Sequence, residues 1–239
     1  MKRILYTIGL LWACAMTQAQ TLLPPVWQGS ADVQYSSRTI AYLPPTRIVW
    51  QETTGSSSIE GIDKLLLPGN GQAELVGGKE CVIRKRPDGK VSVLLDFGRE
   101  LQGGIQIVTG QSSRKEAKVR IRFGESVSEA MCDITPENGA TNDHAIRDFH
   151  FTLPWLGVAE IGNSGFRFAR IDVEEPDIDL LLKEVRATFG YRDIPYLGSF
   201  KSDNNRLNDI WMTGAYTVHL NMQEYIWDGV KRDRLVWIG

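Results

Sequence analysis

The residues best equipped for chemistry stand together at positions 228–239, "DGVKRDRLVWIG". Asp228 and Asp233 lie five positions apart there, with Lys231, Arg232 and Arg234 around them and Trp227 and Trp237 on either side. Carboxylates accept hydrogen bonds from sugar hydroxyls and serve as general acids, guanidinium groups hold carboxylates in fixed orientation, and indole faces stack on sugar rings. Paired acids among aromatics therefore suit glycosidic-bond chemistry. The same composition also describes a solvated loop laced with ion pairs, which is the commoner fate of a charge run.

Other candidates are weaker. Asp96 in "DFG" and Glu125 in "FGES" read as residues at the ends of strands. His144 and His150, with Asp143 and Asp148 nearby, match no standard zinc spacing, so a polar loop is expected. Neither a metal nor a cofactor is expected. His219 reads as a helix-face residue, and Trp211, Tyr216 and Tyr225, at helical spacing, as core.

The element that must carry the closing motif is a helix. Leu207, Ile210, Trp211, Ala215, Val218 and Met222 recur at three- and four-residue intervals, Ser202 or Asp203 is placed to cap, and Gly229 stands where helices commonly stop. This predicts an amphipathic helix from Asn204 to Trp227, with the motif on the loop after it. A single helix cannot bury its own apolar face, so it reads as the first element of a helical domain.

Upstream the period changes. Residues 81–191 hold short β-type runs, among them "CVIRKR", "KVSVLLDF", "GGIQIVTG", "AKVRIRFGE", "DFHFTLP" and "GFRFARIDVEE", punctuated by Gly, Asn and Pro. Val119, Ile121 and Phe123 alternate with Arg120 and Arg122. Asp88-Gly89 predicts a hairpin between the first two runs, supplying positive φ. Together these predict a mainly β protein, a jelly-roll-like two-sheet sandwich. Residues 20–78, rich in Gly, Ser, Pro and Gln, predict irregular structure with a few short strands.

Bulk properties bound the class. The chain has 239 residues, 42% of them hydrophobic, and a formal net charge of −2 with acids and bases mixed, which excludes a basic nucleic-acid footprint. Lys2 and Arg3, an apolar run to about Met16 and small residues around Ala19 predict a secretory signal peptide over 1–19, hence an exported, periplasmic or extracellular protein. "LWAC", ending at Cys14, loosely resembles a lipoprotein cleavage box, but Trp12 is wrong for it. No stretch reaches the roughly 20 apolar residues of a membrane span. Cys81 and Cys132 can be a pair or two separate buried thiols. The expected divisions are 1–19, 20–78, a sandwich over 79–195, and the start of a helical domain over 196–239.

The closing stretch resembles the segment of bacterial α-L-rhamnosidases, glycoside hydrolase family 78, that commonly reads D-C-P-x-R-E-R-x-G-W-x-G-D. Asp228, Arg232, Arg234, Trp237 and Gly239 match in identical spacing, while Gly229-Val230 replace Cys-Pro, Asp233 replaces Glu and Val236 replaces Gly. The helix sequence is similar to the entry helix of that family's (α/α)6 barrel, and "LLDFGRELQGGIQI", "RIRFGESVSEAM" and "GFRFARID" to the β-sandwich before it. The resemblance implies a glycosidase that removes terminal α-L-rhamnose from oligosaccharides or glycosides by inverting general acid/base hydrolysis. It places the general acid at Asp233 and sugar contacts at Asp228, Arg232 and Trp237. An extended backbone would point Arg232 and Arg234 away from Asp233, which has to keep its proton. Inverting carboxylates stand roughly 6.5–9.5 Å apart, with the second far downstream, so this chain alone is expected to hydrolyse nothing. A non-catalytic secreted sugar-binding or structural sandwich, or another six-hairpin glycosidase, remains the alternative.

Overall fold

The computed structural model describes residues 38–75, 77–78, 80–135, 137 and 146–231. The expected leader and His144 lie outside them. Among the described residues nine strands run β1 Arg38–Leu43, β2 Arg47–Thr53, β3 Ser58–Glu60, β4 Cys81–Lys85, β5 Val91–Thr109, β6 Glu116–Gly124, β7 Asp148–Pro154, β8 Gly157–Val173 and β9 Ile178–Arg192. The described residues also form two α-helices, α1 Val127–Met131 and α2 Asn205–Asn221, and a 3-10 turn at Ile62–Leu66.

Every strand pair is antiparallel, and β5 and β8 each serve two layers. Val91–Asp96 of β5 lies between β2 and the last third of β8, which continues to β6 and β7. Gly103–Thr109 lies between the first part of β8 and β9, whose far edge carries β4 and β1, with β3 on β4. One apolar cluster fills the space between the layers, with Val91, Val93 and Leu95 from the first meeting Ile105, Ile107, Leu180 and Leu182 from the second. The expected mainly β sandwich is what the structure shows. Alternation works as read in β6, where Ala117, Val119 and Ile121 are buried between exposed or half-buried polar neighbours. Arg122 is buried too, because its guanidinium bridges Asp133 (2.7 Å) and Asp172 (2.8 Å).

The expected hairpin between "CVIRKR" and "KVSVLLDF" does not form. The turn is there, with Gly89 N donating to the Arg86 carbonyl (3.1 Å), but β4 pairs with β3 and β9 while β5 enters the other layer. Neither Asp88 nor Gly89 has positive φ. Gly89 is required instead by close approach, since a Cβ would overlap the Thr54 carbonyl oxygen. The two turns brace each other: Asp88 Oδ2 accepts from Ser56 N and Oγ (both 3.0 Å), and Ser57 Oγ accepts from Arg86 N (2.9 Å).

Helix α2 is also shorter than its periodicity predicts. Its N-cap is Asn204, whose Oδ1 accepts from Arg206 N (3.0 Å), not Ser202 or Asp203. It stops at Asn221 because Gln223 finds partners outside the helix. The Gln223 amide donates to the Gly190 carbonyl of β9 (3.1 Å), Arg192 Nε donates to the Gln223 carbonyl (3.0 Å), and Trp227 N turns back to the Asn221 carbonyl (2.9 Å). Of the helix's apolar residues only Leu220 is buried, and Leu207, Ile210 and Val218 are 46–59% exposed.

Candidate functional site

The site grows from an irregularity in the longest strand. Asp96 pairs with Phe168 and Leu101 with Phe166, so four residues of β5, Phe97 to Glu100, oppose the single Arg167 of β8. Such bulges re-aim side chains out of the ladder. Phe97 turns inward, edge-on to Phe166 at 5.6 Å, Gly98 takes φ +87°, and Arg99 and Glu100 leave the ladder, Arg99 exposed and Glu100 half-buried. Asp96 pins the bulge from below. Its Oδ1 accepts from Gly98 N (2.7 Å) and Arg167 Nε (2.8 Å), and its Oδ2 from Arg167 Nη2 and Arg47 Nε (both 2.9 Å). Burial works against its charge, but Arg167, the Gly98 N–H and Arg47 together hold its carboxyl at about 2.

Helix α2 closes over the bulge. Tyr216 Oη donates to the Glu100 carbonyl (2.5 Å), and the Arg99 guanidinium carbon lies 5.5 Å from the Tyr216 ring centroid. Burial pushes the Tyr216 phenol up to about 12, with Arg99 opposing. The segment after α2 completes the wall. Val230 is buried against Gly165, where an added Cβ would lie 2.5 Å from Val230 Cγ2 and 2.9 Å from Glu100 Oε1. Lys231 Nζ bonds the Glu129 carboxylate of α1 and lies 3.7 Å from Glu125. The result is a cleft of about 940 Å³ lined by Arg99, Glu100, Glu125, Arg167, Tyr216 and Asp228, among others.

Asp228, picked out by its spacing, stands exposed on this cleft wall. Arg232, Asp233 and Trp237, with Arg234, lie outside the described residues. Sequence reasoning missed Arg99, Glu100 and Arg167, and took Glu125 for an ordinary strand-end residue. A glycine inside a strand pattern, "DFGRE", was the available sign of a bulge. Tyr216 lines the cleft instead of a core, because the core lies between the sheets and α2 sits outside it. Tyr225 is 68% exposed, in the turn that follows the shortened helix. His219 is a tether: Nδ1 bonds Tyr196 Oη (3.0 Å) and Nε2 bonds the Arg192 carbonyl (2.6 Å).

The chemistry of Glu100 sets it apart. Its Oε1 is out of reach of solvent and has no hydrogen-bond partner. Burial, then the charge of Glu125 and a hydrogen bond with it, push the Glu100 carboxyl up to about 8, against the pull of Lys231. A carboxyl whose burial and acidic neighbour favour its protonated form thus stands beside exposed acids and guanidinium groups. Elsewhere, His150 Nδ1 bonds Glu174 (2.9 Å) at the surface, and Cys81 and Cys132 are not bonded to each other. Among the described residues no helix is long and apolar enough to cross a membrane.

No family model matches this sequence, and no curated protein matches it either. Solved structures do match in fold. The rhamnosidase from Klebsiella oxytoca with rhamnose bound is similar at a TM-score of 0.57 and 16% identity, over 84% of this chain and 39% of that one. The GH78 family rhamnosidase of Bacillus sp. GL1 is similar at a TM-score of 0.58 and 19% identity, over 74% of this chain and 17% of that one. This chain shares the fold found in these rhamnosidases. It spans well under half of either, and the likeness concerns fold alone.

Proposed function

We propose that the chain is part of an exported glycoside hydrolase that removes terminal α-L-rhamnose from oligosaccharides or glycosides. The observation that carries this reading is the position of Asp228: the acid singled out as a sugar contact lines a cleft large enough for a saccharide, beside Arg99, Glu125 and Tyr216. Fold likeness to rhamnosidases supports it. In this reading Asp228, Arg232 and Trp237 contact the sugar and Asp233 donates the proton to the leaving oxygen. No residue of the chain is assigned as the base that activates water.

The test has two arms. Calorimetry of the chain with L-rhamnose, against D-glucose as control, reads binding; Asp228→Ala should weaken it at least tenfold, the equivalent of about 1.4 kcal/mol. Release of p-nitrophenol from its α-L-rhamnoside by the protein of the complete gene reads hydrolysis, with Asp233→Asn expected to abolish it. Equal binding of both sugars, or full activity in Asp233→Asn, would overturn the assignment. Because the chain spans only 39% and 17% of the rhamnosidases it matches, a second reading is a sugar-binding sandwich without hydrolysis, which predicts rhamnose binding and no p-nitrophenol release. Export is checked separately, by a mature N-terminus at Gln20.

A further inference from the structure

We propose that Glu100 is a proton-controlled latch that sets the position of the 228–231 wall of the cleft, closed when its carboxyl is neutral and released when it ionises. The proposal rests on reading this cleft as the functional site. Glu100 leaves the β5 bulge and reaches the floor at Gly165, where Val230 and Lys231 also converge. With its proton in place, the carboxyl shares a hydrogen bond with Glu125 and tolerates burial of Oε1.

The charges facing it come from several elements. Glu125 follows β6 and Glu129 stands on α1, which Arg147 Nε approaches at 3.5 Å. Lys231 lies on the closing segment with Asp228, Arg99 shares the bulge, and Arg167, on β8, is committed to Asp96. Tyr216 on α2 donates to the Glu100 carbonyl, packs against Arg99 and keeps its own proton. Lys231 already serves Glu129 and Glu125, so ionised Glu100 would add a third carboxylate to one ammonium, with a buried oxygen and no donor. The relief available is for the side chain to swing outward to water, which removes the support beneath Val230 and Lys231 and loosens the wall that carries Asp228.

The sign follows from linkage. The folded value, about 8, lies above the ordinary carboxyl value of 4.5, so the folded state keeps a proton that the unfolded state has lost. The contribution of Glu100 to stability is greatest at acid pH, falls as pH rises between those two values, and levels off above about 8.

Hydrogen exchange of 228–231, corrected for the intrinsic pH dependence, tests the latch in the full chain. Protection in the unaltered protein should fall at least tenfold as pH passes from 7 to 9, and Glu100→Gln, which cannot ionise, should keep it. The same fall in Glu100→Gln would overturn the proposal. The side-chain ¹³C titration of Glu100 in the unaltered protein is independent of any variant's folding: an inflection near 8 supports the latch, and one in the ordinary carboxylate range overturns it. Neither measurement uses a sugar. A latch that titrates in a protein that binds no rhamnose would sink the proposed function alone, and rhamnose binding with pH-independent protection would sink the latch alone.

Discussion

Arg167 grips both carboxylate oxygens of Asp96, at 2.8 and 2.9 Å, directly beneath the four-residue bulge that Arg167 alone opposes on the neighbouring strand. The pair makes an irregular stretch of β5 reproducible, and Arg99 and Glu100 owe their outward aim to it. A bulge without such a pin would be free to slip its register and return these side chains to the ladder.

Asp96→Asn should therefore cost about 2–3 kcal/mol of stability. That is below the roughly 3–5 kcal/mol of a fully buried pair, because the Arg47 and Arg167 side chains remain 61% and 37% exposed and water screens them. The pH dependence has a definite sign. A carboxyl held at about 2 contributes stability above its ordinary value of 3.8 and loses it as pH falls toward 2. Urea unfolding at a series of pH values should give curves for the two proteins that converge between pH 4 and 2; a constant gap across that range would refute the account.

How much of this was readable depends on how local each cause is. Alternation in β6 follows from one buried face and was readable in Val119, Ile121 and Phe123. The failed hairpin at Asp88-Gly89 was not readable, because turn chemistry specifies that the chain turns and leaves open which strand each arm will pair with. The early end of α2 depends on Arg192 and Gly190 capturing Gln223 across about thirty residues. Asp228 stood out by spacing within one segment, and the structure places it on the cleft wall. Glu100 did not stand out, since its burial needs Val230 and Lys231 to come back across about 130 residues to lie beside it at Gly165.

The two described cysteines should differ sharply in reactivity. Cys81 is fully buried and its thiol is pushed up to about 12 by that burial, with Lys64 opposing, so at pH 8 only about one part in ten thousand is thiolate. Cys132 is half-buried. Iodoacetamide followed by peptide mass spectrometry should label Cys132 more than about 100-fold faster than Cys81 in the folded protein, with the gap vanishing in urea. Equal rates without denaturant would mean that the β4–β9 edge opens readily.

The exposed apolar face of α2 makes a prediction about solubility. Ile210 is 59% exposed, so Ile210→Lys should change unfolding stability by less than about 0.5 kcal/mol while lowering self-association at high concentration. Thermal melts and sedimentation velocity read the two effects. A large loss of stability would show that something covers this face in solution.

Gln223 decides whether α2 stays on the sandwich. It is completely buried, donates from its amide to the carbonyls of Gly190 and Leu220 (3.1 and 2.8 Å), and accepts from Arg192 at its own carbonyl. Gln223→Met keeps the volume and the backbone bond but strands both acceptor carbonyls, at a cost of about 1–3 kcal/mol. Because β9 has its own partners in β4, β5 and β1, the loss should fall on helix docking rather than on the core. Hydrogen exchange should then quicken about tenfold or more across 205–221 and remain unchanged in β5 and β9. Slow exchange retained in α2 would show that Tyr216, His219 and the Arg192 bond to the residue 223 carbonyl hold the helix without the Gln223 amide, and that the cleft wall does not depend on it.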